Sequence, residues 1–530
     1  MKAASASKSR DASLDMAGPR SRFLPALIFT AGISLADDKA PADPKRAEAP
    51  EDKKPKGEEK PKEEKPKETW GSVVIAGTEV KYLVRTGTIP LLKEDGSGER
   101  ARLFFVYYAV ADADGKLLAD KQAAKRAITF CFNGGPGSAS VWLHFGGLGP
   151  QRVELPADGL QPGAGGTVVP NPNSVLDTTD LVFIDPVGTG ASRAAKGEKN
   201  EQFWGVEEDI ESVAEFIRLF TTREHRWPSP KYLCGESYGG TRAAGLADFL
   251  QDKHGLYLDG VISLSGVLNF ETLWSPTLSH VCFLPGYTAT AHFHGKLPPD
   301  LQADREKAIA ESRAFAQGEY VSALLKGATL PKNERDAVID KLVRYTGLDR
   351  ALIEEARMRI SPALFFERLL KNEGKIIGRF DARVTAEDAD RIDAEPEFDP
   401  SYTYIYGPFA AAANGYIRKE LGYEFDLPYR VLGGVKWNYS AFAGRYVNME
   451  SRLAEAMKVN PRLRLLVCNG LRDLAVPPDA ALYSVAQLPI PDSLRKNVRV
   501  EFYESGHMMY LNQPDAEKLR QDIVSFVSRR

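Results

Sequence analysis

Two rhythms of apolar and polar positions alternate along this chain from Trp70 onward. Segments 72–76, 80–85 and 103–110 are short and rich in β-branched and aromatic residues, which predicts strands, and their close spacing predicts antiparallel pairing at a sheet edge. The pattern then changes. Short apolar runs at 128–132, 181–184, 231–234 and 261–264 are separated by segments that include helical periodicity at 206–220 and 241–252. Buried runs alternating with helices predict a mostly parallel sheet covered on both faces. After Phe270 the rhythm breaks, and 271–440 reads as mostly helical and irregular, with charged stretches at 301–315 and 333–358. It resumes with a helix at 446–458, strands at 463–468 and 497–503, and a last helix at 514–528. The simplest architecture is an α/β domain, 70–270 and 441–530, interrupted by a helical insertion or cap at 271–440. No internal repeat is visible.

Upstream, residues 37–69 consist almost wholly of Lys, Glu, Pro, Asp and Ala. With nothing apolar to bury, this stretch is expected to stay disordered and to act as a linker. Before it, Arg20 and Arg22 precede an apolar run at 23–36 that ends Ser34-Leu35-Ala36 ahead of Asp37. A basic region, an apolar region and a small-residue cleavage site in that order predict a signal peptide, 1–36. The run is too short to span a bilayer comfortably, so no stable membrane insertion is expected. Met16 would place the start nearer the basic residues. The expected destination is periplasmic or extracellular.

Composition changes this picture little. A chain of 530 residues, 43% hydrophobic, has ample material for a large core and a second domain. Its 69 basic and 72 acidic residues nearly cancel, so the basic excess of a nucleic-acid binder is missing. Four cysteines in such a length do not make a disulfide scaffold. Cys131, Cys234 and Cys468 lie in strand-like runs and read as buried free thiols, while a bridge involving Cys282 stays open.

The chemistry concentrates in three places. Gly235-Glu236-Ser237-Tyr238-Gly239 falls between a predicted strand and a predicted helix. In that context G-x-S-x-G is a nucleophile elbow: a tight, strained turn presents Ser237 above the carboxyl edge of a sheet. A serine needs a base, and His507 stands just past the last apolar strand. It also needs an acid to orient that base, and Asp473 follows strand 463–468. Ser, Asp, His is the chain order of α/β-hydrolases. Asn133-Gly134-Gly135-Pro136-Gly137, after strand 128–132, supplies backbone N–H groups for a developing oxyanion. Gly135 and Tyr238 are the expected donors. A phosphate-binding loop is the competing reading of that glycine run, but it has neither G-x-G-x-x-G nor a P-loop lysine.

Four blocks resemble the serine carboxypeptidase family, the carboxypeptidase Y-like peptidases: FNGGPGSAS at 132–140, LVFIDPVGTGAS at 181–192, CGESYGGT at 234–241, and Asp473 with SGHMM at 505–509. They follow the family order. The resemblance implies an α/β-hydrolase fold with a helical insertion, no metal or other cofactor, and a peptide substrate shortened from its C-terminal end. It also implies that Asn133 and Glu236 hold the substrate's terminal carboxylate. Glu236 would then be protonated, because two like charges resist sharing one site, and acidic pH would be favoured. Three departures stand out: Cys131 where the relatives have Trp, Ser138 where they have Cys, and Gly147 where they have a second Glu. The last removes a neighbour that would help keep Glu236 neutral. Two other readings use the same scaffold. An esterase or acyltransferase would need the same triad, and a secreted binding protein on an inactive hydrolase would be expected to lack one of its members.

Overall fold

The computed structural model describes residues 65–163, 165–388 and 398–529. The expected signal peptide and most of the expected linker lie outside the described residues. A ten-stranded sheet organises the chain. In chain order its main strands are β1 (Lys67–Ile75), β2 (Thr78–Leu92), β3 (Glu99–Val110), β4 (Ala127–Phe132), β5 (Thr179–Ile184), β6 (Lys231–Glu236), β7 (Gly260–Leu264), β8 (Arg464–Gly470) and β9 (Val498–Tyr503). Across the sheet they run β1-β2-β3-β5-β4-β6-β7-β8-β9, and the short strand Arg193–Ala194 pairs with β3. The first three are antiparallel, and β3 meets β5 antiparallel. From β5 to β9 every pairing is parallel. This is the mostly parallel, helix-flanked sheet of an α/β-hydrolase.

Strands β4, β5, β6 and β7 are buried at every position, which is why they read as unbroken apolar runs rather than alternating ones. Alternate residues still face different layers. Ile128, Phe130 and Phe132 pack in one layer with Ile210, Phe216 and Phe220 of α1 (Val206–Arg223). Cys131, Phe183 and Cys234 pack in the other with Trp142, Leu519 and Ile523. Fully burying each such phenylalanine contributes about 1.5–3 kcal/mol. All four cysteines are buried and free, Cys282 included.

The edge differs from the expectation in one respect. β1 includes Lys67, Glu68 and Thr69, which read as linker, and Lys67 pairs with Thr86. An edge strand can be polar because its backbone ladder holds it, and here Glu68 also meets Arg85 at 2.8 Å. Within 271–440 most described elements are helices, but Lys375–Ile377 and Thr385–Glu387 form a small antiparallel hairpin. Phe283, Leu301, Leu342 and Phe365 belong to a core in this region that takes in Leu474, from the loop after β8. Among the described residues, no helix is long and apolar enough to cross a membrane.

Candidate active site

The parallel strands point their carboxyl ends the same way, so the loops after β4, β6, β8 and β9 gather at one edge. Those loops carry Asn133, Ser237, Asp473 and His507. Ser237 has φ 60° and ψ −126° before α2 (Tyr238–His254) begins. A non-glycine residue held there is strained, as a nucleophile elbow requires. Its backbone is fixed on both sides: the N–H donates to Leu264 O at 3.0 Å, and the carbonyl accepts from Gly240 N at 2.9 Å. Ser237 remains partly accessible between buried neighbours.

His507 and Asp473 are buried, and His507 Nδ1 lies 2.7 Å from Asp473 Oδ2. The other carboxylate oxygen accepts from Ala475 N at 2.8 Å and Val476 N at 2.9 Å. Three acceptor contacts thus fix the acid. Burial by itself lowers the basicity of His507; the charge and hydrogen bond of Asp473, with the charge of Glu236, outweigh it and leave the imidazole pKa raised. The histidine loop is tied to the elbow through the end of β7. Ser265 Oγ donates to His507 O at 2.9 Å, one residue beyond the carbonyl that holds Ser237.

Gly134 explains how the glycine loop meets the elbow. A Cβ there would lie 2.4 Å from Tyr238 N and 2.7 Å from both Glu236 O and Gly239 N. Only glycine lets the loop lie against the first turn of α2, and this approach brings the Gly135 region beside the Tyr238 amide. Gly135 itself has φ +99°, a conformation most side chains resist. Arg242 clamps the arrangement from below: Nη1 donates to Asn133 O at 2.6 Å, while Nε donates to buried Asp209 at 2.8 Å. On the outer side, Ala139 N donates to Val431 O at 2.9 Å, and Leu432 and Val435 cover Gly135 and Gly137.

Asn133 and Glu236 form a buried pair. Asn133 Nδ2 donates to Glu236 Oε1 at 2.8 Å, and Asn133 Oδ1 accepts from Leu143 N at 3.1 Å. Tyr510 OH donates to Glu236 Oε2 at 2.6 Å. Burial pushes the Glu236 pKa up to about 7, against the pull of His507, Tyr510 and Asn133. The absence of a second glutamate at Gly147 therefore does not leave Glu236 an ordinary acid. The residues expected at this site gather at the carboxyl edge of the sheet, Glu236 at the end of β6, Tyr238 at the start of α2 and the others in the adjoining loops.

Two contributors carried no motif. Tyr510 stands three residues beyond His507 and was visible only as an aromatic after the histidine. The segment around Phe380 comes from 271–440: its carbonyl accepts from His507 N at 2.5 Å, and its ring centre lies 5.1 Å from the imidazole. Leu474 N donates to Arg379 O at 3.1 Å and Ala382 N to Arg472 O at 3.1 Å, so one short segment grips the acid and base loops together. Nothing in its sequence marks it.

An elbow serine, a buried histidine–carboxylate pair and a glycine loop packed against the elbow, all on this sheet, are the arrangement of a hydrolase of the α/β type. Residues 96–331 match the model of the serine carboxypeptidase family. That match spans the glycine loop and the elbow, and bears out the resemblance carried by the motifs. Serine carboxypeptidase-like 36 of Arabidopsis thaliana is 30% identical over 146 residues, 27% of this chain and 27% of that relative. The aligned part thus spans about a quarter of the length of the curated relative it matches. Among solved structures, the prohormone-processing carboxypeptidase Kex1(delta)p of Saccharomyces cerevisiae matches with a TM-score of 0.51 at 15% identity, over 84% of this chain and 91% of that one. At that identity the likeness is one of fold.

Proposed function

We propose that this chain is an exported serine carboxypeptidase that removes C-terminal residues through an acyl-enzyme on Ser237. Ser237 Oγ attacks the scissile carbonyl while His507 takes its proton, and the Gly135 and Tyr238 amides hold the oxyanion. The C–N bond then breaks, and His507 returns the proton to the leaving amine. Water, deprotonated by the same histidine, releases the shortened peptide. Asp473 keeps the imidazole in the tautomer that can accept from serine. Asn133 and Glu236 receive the substrate's terminal carboxylate.

The observation that carries this reading is the buried Asn133–Glu236 pair beside the nucleophile. A carboxyl with a pKa of about 7 is neutral in acid and can donate a hydrogen bond to a carboxylate. Above that pH it becomes charged and repels the same group. His507 must be neutral to act as base, and its pKa is raised in part by Glu236. The two groups titrate as a coupled pair, so kcat/KM on a free-acid peptide is expected to follow a narrow bell. Glu236→Gln, always neutral, is expected to remove the alkaline limb and move the acid limb down. The measurement compares one peptide as free acid and as amide between about pH 4 and 8, a window bracketing the carboxyl and imidazole ranges. Equal cleavage of acid and amide throughout would favour the esterase reading instead.

Export rests on the order of basic, apolar and small residues before Asp37. Expressed in a bacterium with an intact secretion system, the mature protein is expected to begin at Asp37. N-terminal sequencing that finds 23–36 retained would overturn it.

A further inference from the structure

The departure at Gly147 has a structural counterpart. Gly146 and Gly147 lie in a π-helical turn, Leu143–Leu148, whose first amide donates to Asn133 Oδ1. A Cβ on Gly146 would lie 2.4 Å from Tyr510 Cε2, and one on Gly147 would lie 2.9 Å from Tyr510 Cγ. The Tyr510 ring therefore lies against both glycines, in the space where a side chain at 147 would begin. That ring is buried, and its hydroxyl ends on Glu236 Oε2 at 2.6 Å. A glutamate at 147 and the tyrosine at 510 exclude each other sterically.

We propose that Tyr510 is the positioning residue for carboxylate recognition, its hydroxyl holding the Glu236 carboxyl in the orientation that meets the substrate's C-terminus, in place of the second acid found in the relatives. This rests on the carboxylate-binding reading of Asn133 and Glu236. With Asn133 Nδ2 on Oε1 and Tyr510 OH on Oε2, neither oxygen can rotate away, and the acidic proton is left free to point at a ligand. The groups that face Glu236 electrostatically are His507 and Tyr510 from the loop after β9, Asp473 from the loop after β8, and Cys234 on its own strand. Burial keeps the Tyr510 phenol protonated, so it remains a donor. As a donor it favours the ionised form of Glu236 and opposes the effect of burial. The hydroxyl thus contributes orientation and, at the same time, restrains how far up the pH scale the neutral acid survives.

The test is Tyr510→Phe, which keeps the ring between the glycines and loses only the hydroxyl. On a free-acid peptide, KM is expected to rise roughly fivefold, the worth of one hydrogen bond. The alkaline limb of kcat/KM is expected to move up by about one pH unit, since the ionised form has lost a donor. In a Glu236→Gln background, where the alkaline limb is expected to be gone, the same substitution should leave the alkaline side of the profile flat. Difference infrared titration of the Glu236 carboxyl, identified by its loss in Glu236→Gln, gives a readout independent of turnover and should show the same upward shift. If wild-type enzyme prefers free acids and Tyr510→Phe moves neither the limb nor the infrared titration, the role of Tyr510 is overturned while the carboxylate site stands. If wild-type enzyme cleaves amide and acid alike, the carboxylate reading falls, and this inference falls with it.

Discussion

Ser237→Ala is expected to lower kcat on a peptide roughly a million-fold, and His507→Ala nearly as far. The reason is the unit they form. An unactivated serine is a weak nucleophile, and His507, whose Nδ1 lies 2.7 Å from a buried carboxylate, is held as the base to activate one. Asp473→Asn is expected to cost less, roughly ten-thousand-fold. The asparagine oxygen can still accept from the Ala475 and Val476 amides, which hold Asp473 Oδ1 at 2.8 and 2.9 Å. Its NH2 would then face His507 Nδ1 and force the wrong tautomer. Single-turnover kinetics on the three variants, with thermal unfolding to show that each is folded, checks the series. An organophosphonate should label wild-type enzyme at Ser237. Label found on another serine, or a Ser237→Ala enzyme that turns over normally, would sink the triad.

Gly134→Ala is the second large effect, and it comes from one methyl group. Its new Cβ would meet three backbone atoms, Tyr238 N at 2.4 Å, Glu236 O at 2.7 Å and Gly239 N at 2.7 Å. No flexible side chain is present to yield, so the glycine loop or the elbow must move. Either movement separates the Gly135 and Tyr238 amides, the donors proposed for the oxyanion. Removing one such donor costs about a hundred- to thousand-fold in kcat, and the overpacking costs about 1–3 kcal/mol of stability. Because every acyl substrate needs the oxyanion hole, the loss should be the same for a free-acid peptide and its amide. Substitutions at Glu236 or Tyr510, by contrast, should separate those two substrates. A Gly134→Ala enzyme with unchanged kcat would show that the donors lie elsewhere.

Tyr510 also bears on pH. Burial comes first among the causes that shift Glu236, and the Tyr510 ring lies over the turn that carries Gly147. From motifs alone, loss of the second acid suggested a weaker rise in that pKa. The rise is kept by burial, with the charge of Asp473 adding to it, rather than by an acid at position 147.

Much of this protein was legible in its sequence because the relevant signals are local. Burial of β4, β5, β6 and β7 on both faces produces continuous apolar runs, and the helices between them show their own period, so the parallel sheet could be read directly. The elbow is equally local: Gly235, Ser237 and Gly239 must occupy one turn, and their spacing survives in the chain. Asp473 and His507 could be picked out because each follows a strand, and the sheet brings strand ends together whatever the distance in sequence; they meet at 2.7 Å. Other features depend on meetings across the fold, which leave no periodicity. The polar start of β1 has no apolar pattern and is held by its ladder to β2. The Phe380 segment, whose carbonyl orients His507, comes from a region without strand or motif signals. Tyr510 reaches Glu236 only because Gly146 and Gly147, more than 350 residues earlier in the sequence, leave room for its ring. Local sequence determined the strands and the elbow at Ser237, since each is marked by neighbours a few residues away, and the chain order of Ser237, Asp473 and His507 is legible along the chain. Tertiary packing alone decided the environment of Glu236, since desolvation and hydrogen-bond partners belong to the assembled site.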